Sequence, residues 1–477
     1  MTKTIKHKKR VRGIIIHDGK LILIKRVKLD EVYYVIPGGG VEIGENNLQA
    51  LKRECREELG IDVDIKSLIC KRIFKDQKEF FYFCLINSGK IGTGNGPEFN
   101  CNAEYEGEHI IELVDFPKLN NKNLKPKEIK DELISLWSSC KQLSKSEKFG
   151  KIKTKTKEYF FKVLNPIESK RELVGYKKIK EFYPVPQFLF QLALKCKIIH
   201  IYEYEKSVDL KDGLLADYFA NHSELDKKYF IILKLYKKVF LKTIKRDKEN
   251  CADIFFENRI KTRINKFYSK EFISSYQGKK IMINGNEIQL NLTKIFKELK
   301  SFFGNHRVTW TIISQCDPND LNIGVKPLIF DYQAGGRVPF MAEFATFVWY
   351  NLVQGNYLSL IYNRHSFKGH EDIFNKLDKV FVQGKSINHR ISPIRQEAIS
   401  AYIRYVVRPV MNKIGPYNFY LEFKNYLAMK IMAVFNVRKM SHKDLLLCLA
   451  YLQYFYDQEI NSIDELINIL NELWLKK

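Results

Sequence analysis

From Gly39 the chain reads Gly39-x5-Glu45-x7-Arg53-Glu54-Cys55-Arg56-Glu57-Glu58-Leu59-Gly60-Ile61. Asn46 to Leu59 has helical periodicity, and Gly60 is a helix stop. On such a helix Glu54, Glu57 and Glu58, at i, i+3 and i+4, share one face. Three carboxylates that close repel one another unless a cation sits among them. A hard divalent ion with oxygen ligands meets that need, and Mg2+ favours carboxylates together with substrate phosphates. Leu48, Leu51, Cys55 and Leu59 form a separate apolar stripe that would anchor the helix to a sheet. The glycines in front of the helix let backbone approach a ligand closely.

Working outward, Gly13 to Ile16 and Leu21 to Ile24 read as two strands joined by an Asp18-Gly19 turn. Tyr33 to Ile36 is a third strand that runs into the loop Pro37-Gly38-Gly39-Gly40. Further strands are expected at Val63 to Phe74, Glu79 to Leu85 and His109 to Leu113, then a helix at Lys127 to Cys140. Lys141 to Lys151 is polar and without periodicity, which places a domain boundary there. The first domain is therefore 1–142 and the second 150–477. Tyr159 to Leu164 and Ile198 to Tyr204 read as strands of the second. From about Phe340 onward the apolar spacing is helical, at i, i+3 and i+4.

The 39–61 pattern, with Tyr34-Val-Ile-Pro-Gly-Gly-Gly ahead of it, resembles the Nudix box, G-x5-E-x7-R-E-U-x-E-E-x-G-U. Every fixed position is filled, with Cys55 as the apolar U. The resemblance implies an α/β/α sandwich that hydrolyses a phosphoanhydride in a nucleoside-diphosphate-linked substrate, with Mg2+ (or Mn2+) as cofactor. It assigns Glu54, Glu57 and Glu58 to the metal, and Arg53, Glu54 and Glu57 to catalysis. Gly39 belongs to the loop at the ligand, and Arg53 is expected to pair with Glu45. Glu98 falls where relatives supply a further metal ligand or base; Glu104, Glu106 and Glu108 are alternatives. A nucleotide or nucleotide sugar is the implied substrate class, and no accessory pattern narrows it.

A second constellation lies in Ser314-Gln-Cys-Asp317-Pro-Asn-Asp-Leu-Asn322 and Leu328-Ile-Phe-Asp331. Phosphoryl transfer from a nucleoside triphosphate needs a base for the attacking hydroxyl, with an Asn and an Asp on magnesium. Asp317, Asn322 and Asp331 have that order. Upstream, Lys162 lies in a strand and Glu172 in a helix, as a nucleotide clamp requires. Residues 150–477 thus resemble the aminoglycoside phosphotransferase and choline kinase-like family. A two-lobed, protein-kinase-like fold is implied, with an N-lobe at about 150–206 and a mostly helical C-lobe at about 207–477. ATP or GTP would be the donor, and a small-molecule hydroxyl the acceptor. Gln315 and Cys316 replace the family's His-Gly, and Lys148 to Lys157 offers only Gly150 for a phosphate-covering loop. Glu343-Phe-Ala345 stands where the family often has Asp-Leu-Ala.

Composition bounds the rest. The formal charge of +25 attracts anions. Its lysines are spread along the chain without a stacking stripe, so no nucleic-acid partner is expected. Nine single cysteines without a C-x-x-C pair suggest reduced thiols in a cytoplasm. The chain has no window approaching 18 apolar residues, so no membrane partner is expected. The favoured reading is a multidomain, bifunctional enzyme. Two others stay open: a hydrolase whose kinase-like half binds a ligand without turnover, and a Nudix-based sensor.

Overall fold

The computed structural model describes residues 8–28, 31–74, 76–96, 107–248, 258–304 and 308–475. The chain divides into two units, Met1–Ser169 with Pro186–Glu205, and Lys170–Val185 with Lys206–Lys477.

The first unit is built on a mixed sheet. Strands β1 (Lys8–His17) and β2 (Lys20–Lys28) meet at Asp18 and Gly19, with φ of 48° and 75°. This mirror-image turn matches the twist of the flanking strands, and Asp-Gly suits its positive φ values. β3 (Glu31–Val35), β4 (Ile61–Phe74), β5 (Gln77–Gly89), β6 (Glu108–Asp115) and β7 (Leu124–Lys125) complete the sheet. The order is β4-β5-β1-β2-β3-β7, with β6 also on β2, and β1 parallel to β5.

Period-two patterning sorts the side chains into two cores. Val11, Ile15 and Ile22 pack with Leu51, Cys55 and Leu59 on one face. Ile14, Leu21 and Leu23 face the other way, against Leu133 and Leu136 of the helix Lys127–Leu143. Each such buried side chain contributes about 1.5–3 kcal/mol.

A second, antiparallel sheet belongs to the same unit: β8 (Phe149–Lys153), β9 (Glu158–Leu164), β10 (Phe188–Leu194) and β11 (Lys197–Glu203), in the order β10-β11-β9-β8. Tyr159, Phe161, Phe190, Leu192 and Ile201 share a continuous core with Phe83 and Leu133. The Phe190 ring lies 4.8 Å from that of Phe83, and the Tyr159 ring 6.2 Å.

The second unit contains a three-stranded sheet, Lys245–Asp247, Thr309–Ser314 and Gly336–Pro339, with Thr309–Ser314 in the middle. Helices Phe340–Trp349, Tyr420–Ala433 and His442–Tyr456 are almost wholly buried. The stretch after Phe340 is not uninterrupted helix. Lys379–Gln383 and Ser386–Arg390 form a hairpin within a four-stranded sheet. Their alternating exposure is a strand pattern, and Gly384 turns the chain at φ 60°. Among the described residues, no helix is long and apolar enough to cross a membrane.

Candidate active site

Helix α1 (Asn47–Glu54) begins with a reciprocal cap. Asn46 accepts from the Leu48 and Gln49 backbone N–H groups, and Gln49 accepts from Asn46 N–H at 2.9 Å. The helix then widens into a π turn, Cys55–Leu59, and stops at Gly60 with φ 74°. A Cβ at Gly60 would collide with Thr93, so glycine is required there. A uniform helix would put the three glutamates on one face. The last two lie in the π turn, a feature frequent at functional sites. Glu58 is buried and accepts the Gly38 N–H at 2.6 Å, whereas Glu57 is half-exposed.

Arg53 organises the remaining carboxylates. Its Nη2 donates to Glu45 Oε1 at 2.8 Å and to the Gly40 carbonyl at 2.9 Å. Its Nη1 donates to Glu54 Oε1 at 3.0 Å and Glu57 Oε2 at 2.9 Å. The hydrogen bonds to Glu45 are the main cause that holds the guanidinium proton more tightly than usual. In return Arg53 keeps the Glu45 carboxyl below the ordinary range. A side chain at Gly39 would run into the Glu54 carboxylate.

Among the described residues, no three of His, Cys, Asp and Glu form a ready-made metal cage. Glu54 and Glu57 nevertheless converge on one cationic nitrogen, and both offer hard oxygens. That donor set fits Mg2+, which is commonly held by one or two carboxylates plus substrate phosphates. Glu98, Glu104 and Glu106 lie outside the described residues. Glu108 is exposed at the start of β6.

Arg12 is a residue the sequence reading passed over. It is buried under the glycine loop and donates to the carbonyls of Ile36 (3.0 Å) and Gly38. Its neighbours on β1 grip the same loop: Val11 N–H to Gly39 O at 2.9 Å and Gly13 N–H to Pro37 O at 2.8 Å. Burial pushes the Arg12 guanidinium down to about 10. The signal was a charge inside the apolar run Val11 to Ile16.

In the second unit, strand Thr309–Ser314 delivers Cys316 and Asp317. Asn322 Nδ2 donates to the Asp317 carbonyl at 3.3 Å. Ile323 pairs with Ile329, and Phe330 N–H donates to Asn322 O at 2.9 Å. This short hairpin brings Asn322 beside Asp331, so Asp317, Asn322 and Asp331 gather at one end of it. Cys316 and Asp331 both have left-handed backbone, φ 56° and 60°. Gln315 donates to the Tyr236 hydroxyl at 3.2 Å.

Glu172 is buried in this unit, and its carboxylate adds to the burial that pushes the Tyr332 phenol up. Lys162 belongs to the first unit, on β9 opposite His200. Burial, and then the Lys162 charge, push the His200 imidazole down to about 3.

One further residue, which sequence order did not reveal, meets Asp317. Lys430, buried on helix Tyr420–Ala433, places Nζ 3.4 Å from Asp317 Oδ1. Glu343 is wholly buried, and desolvation pushes its carboxyl up to about 8.

Comparison with known proteins bears on the first unit. Residues 7–153 match the NUDIX domain model. An ADP-ribose pyrophosphatase of Methanocaldococcus jannaschii is 43% identical over 60 residues, 12% of this chain and 36% of that protein. An RNA pyrophosphohydrolase of Ruthia magnifica is 39% identical over 61 residues, 12% of this chain and 33% of that one. The chain thus spans about a third of the length of the curated relatives it matches. A solved structure from work on MutT of Aliivibrio salmonicida and Vibrio cholerae is 23% identical, with a TM-score of 0.23. The likeness covers 28% of this chain and 99% of that one. The matching family model identifies residues 7–153 as a Nudix domain.

Proposed function

We propose that the first unit is a divalent-metal-dependent hydrolase of a phosphoanhydride in a nucleotide or nucleotide-sugar substrate. The observation that carries this is Arg53 gathering Glu45, Glu54 and Glu57 beside Gly39. Glu54 and Glu57, with Glu58 next to them, would hold magnesium or manganese, which when bound neutralises phosphate oxygens and acidifies water. Glu57 is the most exposed of the three carboxylates and the best placed to take a proton from water. Glu54 faces the loop at Gly39, where substrate phosphates would lie. Arg53 keeps both carboxylates oriented. Glu58 braces the loop through Gly38 N–H. The relatives' names, ADP-ribose pyrophosphatase and RNA pyrophosphohydrolase, both denote cleavage of a pyrophosphate link, which supports this bond type.

A second activity is favoured by the juxtaposition of Asp317, Asn322 and Asp331 across the 323–329 hairpin. In this reading the second unit transfers the γ-phosphoryl of ATP or GTP to a small-molecule hydroxyl. Asp317 is the base, Asn322 and Asp331 hold magnesium, and Glu172 serves the nucleotide. The domains would then be 1–142 and 150–477, in a cytoplasmic protein.

Phosphorus NMR with magnesium, nucleoside triphosphates and nucleotide sugars tests both. Anhydride cleavage abolished by Glu57→Gln, and ATP turnover abolished by Asp317→Asn, are the expected results. Cleavage that survives Glu57→Gln would remove the first assignment; ATP turnover indifferent to Asp317→Asn would remove the second.

A further inference from the structure

Lys430 sits in a run of buried residues on one helix, between Met429 and Ile431, and is itself 4% exposed. Its ammonium lies 3.4 Å from Oδ1 of Asp317. The other oxygen, Oδ2, accepts from Asn319 Nδ2 at 3.2 Å. Both carboxylate oxygens are therefore held, by donors from two different segments. Asn322 holds the backbone carbonyl of the same residue. Glu343, on a helix packed against that of Lys430, faces Ser314 and Cys316 just before the base.

We propose that Lys430 is a positioning residue of the phosphoryl-transfer site, fixing the Asp317 carboxylate where it receives the proton of the attacking hydroxyl. This rests on the phosphotransferase reading of the second unit. A buried ammonium is costly, and exchange of a buried ion pair for apolar residues is often neutral or stabilising. Packing alone would favour a methionine between Met429 and Ile431. What the lysine adds is a carboxylate fixed in place at the end of the hairpin. During transfer the acceptor O–H bond breaks as the new O–P bond forms. The bond between the γ-phosphorus and the nucleoside diphosphate breaks, and the proton passes to Asp317. The Lys430 charge is not consumed; it holds the base before and after.

The test uses the full chain with Mg·ATP and water as acceptor, following ADP release in wild type, Asp317→Asn, Lys430→Met and Lys430→Arg. Melting curves and Mg·ATP calorimetry accompany it. In Lys430→Met, kcat should fall about 10–100-fold, the usual scale for residues that orient a catalytic group. KM for ATP and Mg·ATP affinity should hold, and Lys430→Arg should recover part of kcat. Unchanged kcat in Lys430→Met overturns the proposal. So does a joint loss of kcat, ATP binding and melting temperature without rescue by arginine. If wild type and Asp317→Asn turn over ATP equally, the phosphotransferase reading fails and takes the proposal with it. That failure appears in Asp317→Asn, whereas failure of the Lys430 assignment appears only in the Lys430 variants of an active enzyme.

Discussion

The two candidate sites hold their carboxylates with cations of different origin. Arg53 is one residue from Glu54, four from Glu57 and eight from Glu45. Lys430 is 113 residues from Asp317. The arginine fork hydrogen-bonds three carboxylates in fixed directions, while the lysine is a point charge brought to one oxygen. A network closed within a short stretch, Glu45 to Glu57, leaves its spacing in the sequence. One assembled by tertiary packing leaves only residue types that look out of place, such as a lysine in Tyr426-Leu-Ala-Met-Lys430-Ile-Met.

The hardest way to break this pairing of two sites is to cross their variants. Each should cost about 10²–10⁴-fold in its own reaction, the usual worth of a positioned acid or base. Glu57→Gln should leave ATP turnover intact, and Asp317→Asn should leave anhydride cleavage intact. Loss of both reactions in either variant, seen by phosphorus NMR, would merge the two sites into one.

Next in size is the shared core of the first unit. Phe83, of the Nudix sheet, packs on Tyr159 and Phe190 of the sheet that follows. Phe83→Ala should lower stability by about 3–5 kcal/mol, and a chain ended at residue 142 should be less stable still. Thermal melting checks this. A 1–142 fragment that melts like the first transition of the full chain would favour the boundary at 142 and make the common core incidental.

What was legible follows the same division. The Asp18-Gly19 turn, the strand alternation on β1 and β2 and the Gly60 stop are local decisions, and sequence patterning displays them. The π turn at Cys55–Leu59 is not local in that sense. The same residues would suit an ordinary helix, and the Glu58 contact with Gly38 N–H joins segments twenty residues apart. The hairpin at 379–390 was hidden in the same way. Lys379–Gln383 is a half-exposed strand whose pairing with Ser386–Arg390, and theirs with Lys280–Ile283, depends on distant segments. Arg12 was hidden because a charge on a strand is ordinarily solvated, and its hydrogen-bond acceptors are backbone carbonyls that carry no sequence signature.

A smaller effect sharpens the contrast between fork and point charge. Arg53→Lys keeps the charge but cannot span Glu45, Glu54 and Glu57 together. Mn2+ affinity, read by electron paramagnetic resonance, and hydrolysis should each fall about 10–100-fold, as when an outer partner of metal ligands is lost. The same exchange reversed, Lys430→Arg, should be tolerated far better. Equal tolerance at both positions would show that charge alone, and not fork geometry, organises the first site.

The smallest effect concerns Cys316, where the resembling kinases carry glycine. Its φ of 56° lies in the left-handed region, which costs a residue with a side chain roughly 1–2 kcal/mol. Glycine adopts it freely but loses about 0.5–1 kcal/mol more chain entropy on folding. The terms oppose, so Cys316→Gly should raise stability of the second unit by about 1 kcal/mol or less, with ATP turnover retained. A melting temperature that falls would mean the buried thiol contributes packing beyond the strain it imposes. The cysteine beside Asp317 would then be a stabilising residue, and its difference from the glycine of the kinase pattern would be one of packing, with Asp317 left where it was.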